Sequence, residues 1–192
     1  MRAKRGERKL QILQTLAQML QNPRAEKITT AALAAKLDVS EAALYRHFAS
    51  KAQMFEGLIE FIEESIFGLI NKITTDEKSG VKQLEAMLTM LLSFAKKNPG
   101  MTRVLIGDAL VNENERLQTR INQLHDRLEA SIKQALRFAS SQNELPADMD
   151  TAAQANLLMC YVTGRWHQYA KSGFEREPME HWAGQWRELI RS

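Results

Sequence analysis

Scarcity is informative in this chain. One cysteine, Cys160, in 192 residues excludes an intrachain disulfide framework and suits a reducing compartment. Cys160 lies in an apolar stretch and reads as buried, not reactive. Four prolines and nine glycines are too few to punctuate a many-stranded sandwich or barrel. No segment sustains a period-2 alternation, so long helices are expected. No apolar run reaches the roughly 18–20 residues of a membrane span. The basic start Met1-Arg2-Ala3-Lys4-Arg5 has no apolar stretch behind it and is not expected to be a secretory signal. His125, His167 and His181 show no metal-ligand spacing. No nucleophile–base constellation, phosphate loop or carboxylate pair stands out, so neither an enzyme nor a cofactor is expected. The cytoplasm is the expected compartment.

What is present is a sizeable core and an uneven charge. Hydrophobic residues make up 44% and charged residues 26% of the chain, which excludes disorder. Residues 1–51 hold ten Lys/Arg against four acids, a charge of +6, and the remainder carries −3. A basic head on a mildly acidic body fits a polyanionic partner at one end. A merely solvated basic terminus fits the charge count equally well.

Apolar spacing predicts an all-α chain of about nine helices. The first, Lys4–Leu20, carries Leu10, Leu13, Leu16, Ala17 and Leu20 and stops at Asn22-Pro23. Two short helices follow, one opening at Thr29/Thr30 and running to Leu37, the other spanning Glu41–Phe48 behind a Ser40 cap. Ser50 caps a long fourth helix, 51–75, whose inward stripe reads Phe55, Leu58, Ile59, Ile62, Ile66, Leu69, Ile70 and Ile73. Further helices are expected at 80–97, 101–106, 112–138, 148–171 and 177–191, with a polar loop at 139–146. The regular stripe Leu117, Ile121, Leu124, Leu128, Ile132, Leu136 could serve a coiled coil, although a core-facing helix suits it better.

Residues 30–48 carry the functional signal. Two helices of two turns meet at Leu37-Asp38-Val39-Ser40, where Ala34 and Ala35 permit close approach and Val39, Leu44 and Phe48 lock the pair. That is the pattern of a helix-turn-helix, whose second helix enters the DNA major groove. An ordinary helical corner would share the apolar spacing. The outward residues distinguish them: Thr30, Ser40, Tyr45, His47 and Lys51 can all donate to phosphate oxygens, and the helix N-termini offer backbone N–H groups. Thr29, Thr30, Ser40, Glu41, Ala42, Tyr45, Arg46, His47 and Lys51 are therefore the candidate DNA-binding residues.

The string Val39-Ser40-Glu41-Ala42-Ala43-Leu44-Tyr45-Arg46-His47-Phe48-Ala49-Ser50-Lys51 resembles the DNA-binding head of the tetracycline-repressor (TetR) family. The resemblance assigns Tyr45, His47 and Lys51 to the phosphate backbone. Asp38 stands where that family usually has Gly. Asp tolerates a left-handed turn better than most residues, so a small local cost is expected. Further strings resemble a divergent branch of the family, the nucleoid occlusion factors: Leu58-Ile59-Glu60-Phe61-Ile62-Glu63, Asn98-Pro99-Gly100, Thr102-Arg103 and Arg120-Ile121-Asn122-Gln123-Leu124.

This resemblance implies a nucleoid-associated homodimer on a palindromic DNA site. Bound there, it would antagonise the tubulin-like division protein FtsZ and prevent septation over the chromosome. Phe61 lies about 120° from the centre of the fourth helix's stripe, and the resemblance places it on the partner surface with Leu69, Met90, Ser93, Lys97 and Asn98. Leu69 stands where Arg is expected and Ser93 where Gly is expected; Leu69 also reads as plain core. The resemblance further implies a four-helix dimer interface built from the last two helices, here Leu158, Tyr161, Val162, Trp166, Trp182 and Trp186. The expected organisation is a DNA-binding domain at 1–51 and a dimerisation and partner-binding domain at 52–192. The competing function is a TetR-type transcriptional repressor released by a small ligand, which would need an apolar pocket with convergent polar groups.

Overall fold

In the computed structural model, residues 5–22 and 28–190 are described. Lys4, Pro23 and Arg191, at the expected ends of helices, lie outside them. Among the described residues the chain forms nine α-helices: α1 Arg5–Met19, α2 Thr30–Lys36, α3 Glu41–Tyr45, α4 Lys51–Asp76, α5 Gly80–Lys97, α6 Pro99–Leu105, α7 Glu115–Ser141, α8 Thr151–Lys171 and α9 Trp182–Ile190. A 3-10 turn, Asp108–Leu110, precedes α7. The described residues fall into two compact units, one drawn from Met1–Ile62 with Asn98–Ile121, the other from Glu63–Lys97 with Asn122–Ser192. α4 and α7 each contribute to both.

In the first unit α1 buries Ile12, Leu13, Leu16 and Ala17, whereas Leu10, expected inside, is exposed and Ile12 replaces it. α6 begins with Pro99, whose fixed φ and missing N–H suit a first helical position. It packs so tightly on α1 that a Cβ at Gly100 would lie 2.0 Å from the Ala17 carbonyl oxygen. Arg103 closes the join: its guanidinium donates to the carbonyls of Leu20 and Asn22, both at 3.2 Å, and pairs with Asp108 at 2.7 Å. Carbonyls beyond the last turn of α1 thus gain a charged donor.

In the second unit α5 buries Leu84, Met87, Leu88, Leu91 and Leu92, and α7 buries Leu124, Leu128, Ile132 and Leu136 of its expected stripe together with Ala135 and Ala139; Leu117 and Ile121, buried too, belong to the first unit. The starts of α7, α8 and α9 differ from the expected ones, each for a local reason. α7 starts at Glu115 and not at 112, because Asn112 has φ 63 and Asn114 Oδ1 accepts the Arg116 N–H at 3.0 Å. α8 starts at Thr151, where the Asp150 carboxylate accepts the N–H groups of Ala152 and Ala153. α9 starts at Trp182, since His181 has φ 64.

The stretch 139–146 also differs from the expected loop. α7 runs on to Ser141, and the next residues cap a distant helix. Gln142 accepts the Gly80 N–H at 3.0 Å and Glu144 accepts that of Val81 at 2.9 Å, serving orphan donors of α5. Glycine is required at 80, because a Cβ there would sit 2.3 Å from the Ala139 backbone nitrogen.

Candidate nucleic-acid interface

The reading head is assembled from caps. Thr29 Oγ1 accepts the Ala32 N–H at 3.1 Å, opening α2, and Ser40 Oγ accepts the Ala43 N–H at 3.3 Å, opening α3. Between them the N–H of Val39 bonds the Ala34 carbonyl and that of Asp38 bonds Ala35. That is a Schellman turn, with Asp38 as its left-handed residue at φ 53. Asp thus performs the task glycine usually takes. Inside, Leu33, Ala34, Leu44 and Phe48 are buried, which fixes α3 against α2. Lys9 Nζ sits 5.4 Å from the centre of the Phe48 ring.

Facing outward are Thr29, Ser40, Glu41, Ala42, Tyr45 and Arg46, all exposed, with Thr30 half-buried. Three of them interact: the Thr30 hydroxyl bonds the Glu41 carboxylate at 2.5 Å, and the Tyr45 hydroxyl lies 3.4 Å from Thr30 Oγ1. The network ties the start of α2 to α3 and sets the Tyr45 ring. α3 ends at Tyr45 and not at Phe48, so His47 lies beyond the helix, half-buried. α4 opens with a reciprocal cap, Ser50 Oγ accepting from Gln53 N–H and Gln53 Oε1 from Ala49 N–H. Lys51, the first residue of α4, is engaged by Glu113 at 2.5 Å and lies 5.7 Å from the Phe55 ring centre. Sequence spacing offered no signal for Glu113.

The expected partner residues separate into two grooves. Phe61, half-buried, lines one of about 400 Å³ with Gln14, Ala17, Gln18, Asn98 and Met101 in the first unit. Leu69 and Met90 line another in the second unit, about 300 Å³, beside Lys72, Ile73 and Ala86. Leu69 is 43% exposed, which removes it from the buried stripe expected for α4; Ile73 is half-buried. Ser93 is half-buried and Lys97 exposed on α5. Phe67, off the stripe on its other side, lies under the Arg127 guanidinium at 4.0 Å from its ring centre.

The dimer-interface expectation needs correction. Leu158, Val162 and Trp166 are wholly enclosed within one chain, so they have no area left to bury against a partner. Trp166 Nε1 donates to the Leu91 carbonyl at 3.1 Å and Trp182 Nε1 to Thr89 at 2.9 Å. Trp182 and Trp186 are buried as well. Tyr161 remains half-exposed, its hydroxyl donating to Gln185 at 2.7 Å, and burial raises its pKa. The outward face of α8 presents Leu157, 51% exposed, with Cys160 and Gly164. Cys160, expected to be buried, is exposed.

Among the described residues, no helix is long and apolar enough to cross a membrane. A capped helix-turn-helix on a helical body defines a DNA-binding regulator of the tetracycline-repressor class. The family description "Bacterial regulatory proteins, tetR family" matches residues 25–58, and "Tetracyclin repressor-like, C-terminal domain" of the SlmA-like type matches residues 78–192. Two solved structures share the fold alone. A TetR transcription regulator from Haloarcula marismortui superposes with a TM-score of 0.82 at 16% identity, over 96% of this chain and 97% of that one. The regulator FadR from Bacillus subtilis, in complex with stearoyl-CoA, gives 0.77 at 12%, over 94% and 97%. The nucleoid occlusion factor SlmA of a Marinomonas species is 49% identical over 98% of this chain and 96% of its own length. That of Alteromonas mediterranea is 50% identical over 95% and 94%. The chain belongs to the SlmA family of TetR-type regulators, a family of DNA-binding proteins and not of enzymes.

Proposed function

We infer that this chain is a nucleoid occlusion factor: a homodimer that binds palindromic chromosomal DNA and, while bound, antagonises FtsZ assembly. The observation that carries this reading is identity of about half over nearly full length to factors of that name, extending through the body and not only the head. The geometry is compatible. Tyr45, Lys51, the hydroxyls of Thr30 and Ser40 and the N-termini of α2 and α3 supply phosphate donors around the groove-reading helix. Phe61 with Asn98, and Leu69 with Met90, supply apolar anchors with polar rims for a partner. The face of Leu157, Cys160, Tyr161 and Gly164 supplies the dimer contact, its small residues allowing two helices to approach closely. Dimeric binding puts the two reading helices about 34–36 Å apart, one helical turn of DNA.

The test is FtsZ sedimentation with this protein, with and without a duplex selected by it from a random pool. Loss of polymer only when that duplex is present is the expected result. Phe61→Ala is expected to keep operator affinity and melting temperature and to lose the effect on FtsZ. If the unmutated protein, saturated with duplex, leaves FtsZ polymer untouched, a ligand-released repressor becomes the better reading.

A further inference from the structure

We propose that Glu113 is a built-in competitor of DNA for Lys51, so that the phosphate contact forms only by displacing a carboxylate of the protein itself. The inference deepens the DNA-binding reading and rests on its assignment of Lys51 to a phosphate. Lys51 and Glu113 are 62 residues apart in sequence and meet at 2.5 Å, with side chains only 22% and 10% exposed. A pair so enclosed is screened by salt much less than one on open surface. Lys51 is also the first residue of α4, where the positive end of the helix dipole disfavours a cation and favours an anion. The Glu113 carboxylate therefore holds the place and the role that a DNA phosphate would take. A phosphate arriving beside it would share one ammonium with a like charge, so exchange is the favourable route. Glu113 lies on the short segment between the 3-10 turn and α7, in a groove of about 200 Å³. Among the described residues, the other cation lining that groove, Arg103, is committed to Asp108 and the Leu20 and Asn22 carbonyls.

Competition and simple positioning of Lys51 differ in sign. A competitor costs affinity while supporting the fold; a positioning residue supports both. Glu113→Gln is accordingly expected to bind a random-sequence duplex at low salt more tightly, by up to about fivefold per subunit, the value of an ion pair worth ~1 kcal/mol. The same variant should melt slightly lower without DNA, since Lys51 then faces the helix dipole alone. In a Lys51→Ala background the gain should vanish. Anisotropy titrations of all four proteins at one salt concentration decide the matter. Equal or weaker binding by Glu113→Gln, beside a Lys51→Ala protein that does bind less well, overturns the competition alone. Unchanged binding by Lys51→Ala overturns the phosphate contact itself. Should Glu113→Gln lack a cooperative melt, Glu113→Asp, whose carboxylate is withdrawn by one methylene, is measured instead. A gain of the same sign is expected from it, and no gain overturns the proposal.

Discussion

The reading head and the body are held together by different physics. In the head, α2 buries only Leu33 and Ala34 and α3 only Leu44. These elements are too short to be stable by propensity. They persist through side-chain caps at Thr29 and Ser40, each worth about 1 kcal/mol, and through the Schellman turn at Asp38. In the body, α5 alone buries nine of its eighteen residues, and apolar area dominates. A surface built from exposed short helices can be rewritten for a new operator without disturbing the core. A body built from area tolerates new surface residues but not core truncation.

Substitutions can break this contrast. The largest effect is expected from Trp166→Ala, which empties an enclosed site and removes the indole donor to the Leu91 carbonyl; about 3–5 kcal/mol should be lost in urea denaturation. A loss below ~1 kcal/mol would mean that area does not dominate the body. Gly100→Ala comes next. It forces a methyl group against the Ala17 carbonyl where α6 meets α1, and overpacking of this kind costs roughly 1–3 kcal/mol. Helicity and DNA affinity should fall together, whereas affinity lost at full stability would point to a shifted head.

Smaller is Ser40→Ala, at about 1 kcal/mol through the lost α3 cap. An unchanged melting temperature with lost DNA binding would make Ser40 a contact and not a cap. Smallest is acid sensitivity at the caps of the body. The Ser79 hydroxyl and then the Val81 N–H lower the Glu144 pKa, and the N–H groups of Ala153 and Ala152 lower that of Asp150. With folded values depressed, the stabilisation is complete above the ordinary carboxylate range and is lost as the pH falls through the depressed values. Melting temperature should be flat near neutrality and drop below that range, with a shallower drop in Glu144→Gln. An identical drop in the variant would remove Glu144 from the account.

Much of the head was legible in the sequence because its determinants are local. Ser40, the Thr29/Thr30 start and Asp38 act on groups within five residues of themselves, so spacing alone located caps and turn. The body's helices were legible as well, since a 3–4 stripe such as Leu117 to Leu136 marks one buried face. Membership of the TetR class followed from the string around Tyr45.

Tertiary structure decided which neighbour each face meets. Leu69 fits the α4 stripe by spacing yet ends 43% exposed, because it lines an open groove beside Ala86 and Met90 of α5 instead of a closed helix contact. Trp166 and Val162 suit an interface by composition, but α5 takes them into the chain's own core, leaving Leu157 and Cys160 outside. Gln142 and Glu144 read as loop until α5 brings its bare N–H groups to them. Lys51 reads as a free cation until Glu113 arrives from 62 residues away. The physical reason is the same in each case. Period and capping chemistry are carried by neighbours along the chain, whereas burial, long-range caps and ion pairs depend on how helices pack, which hydrophobic spacing constrains only to a face.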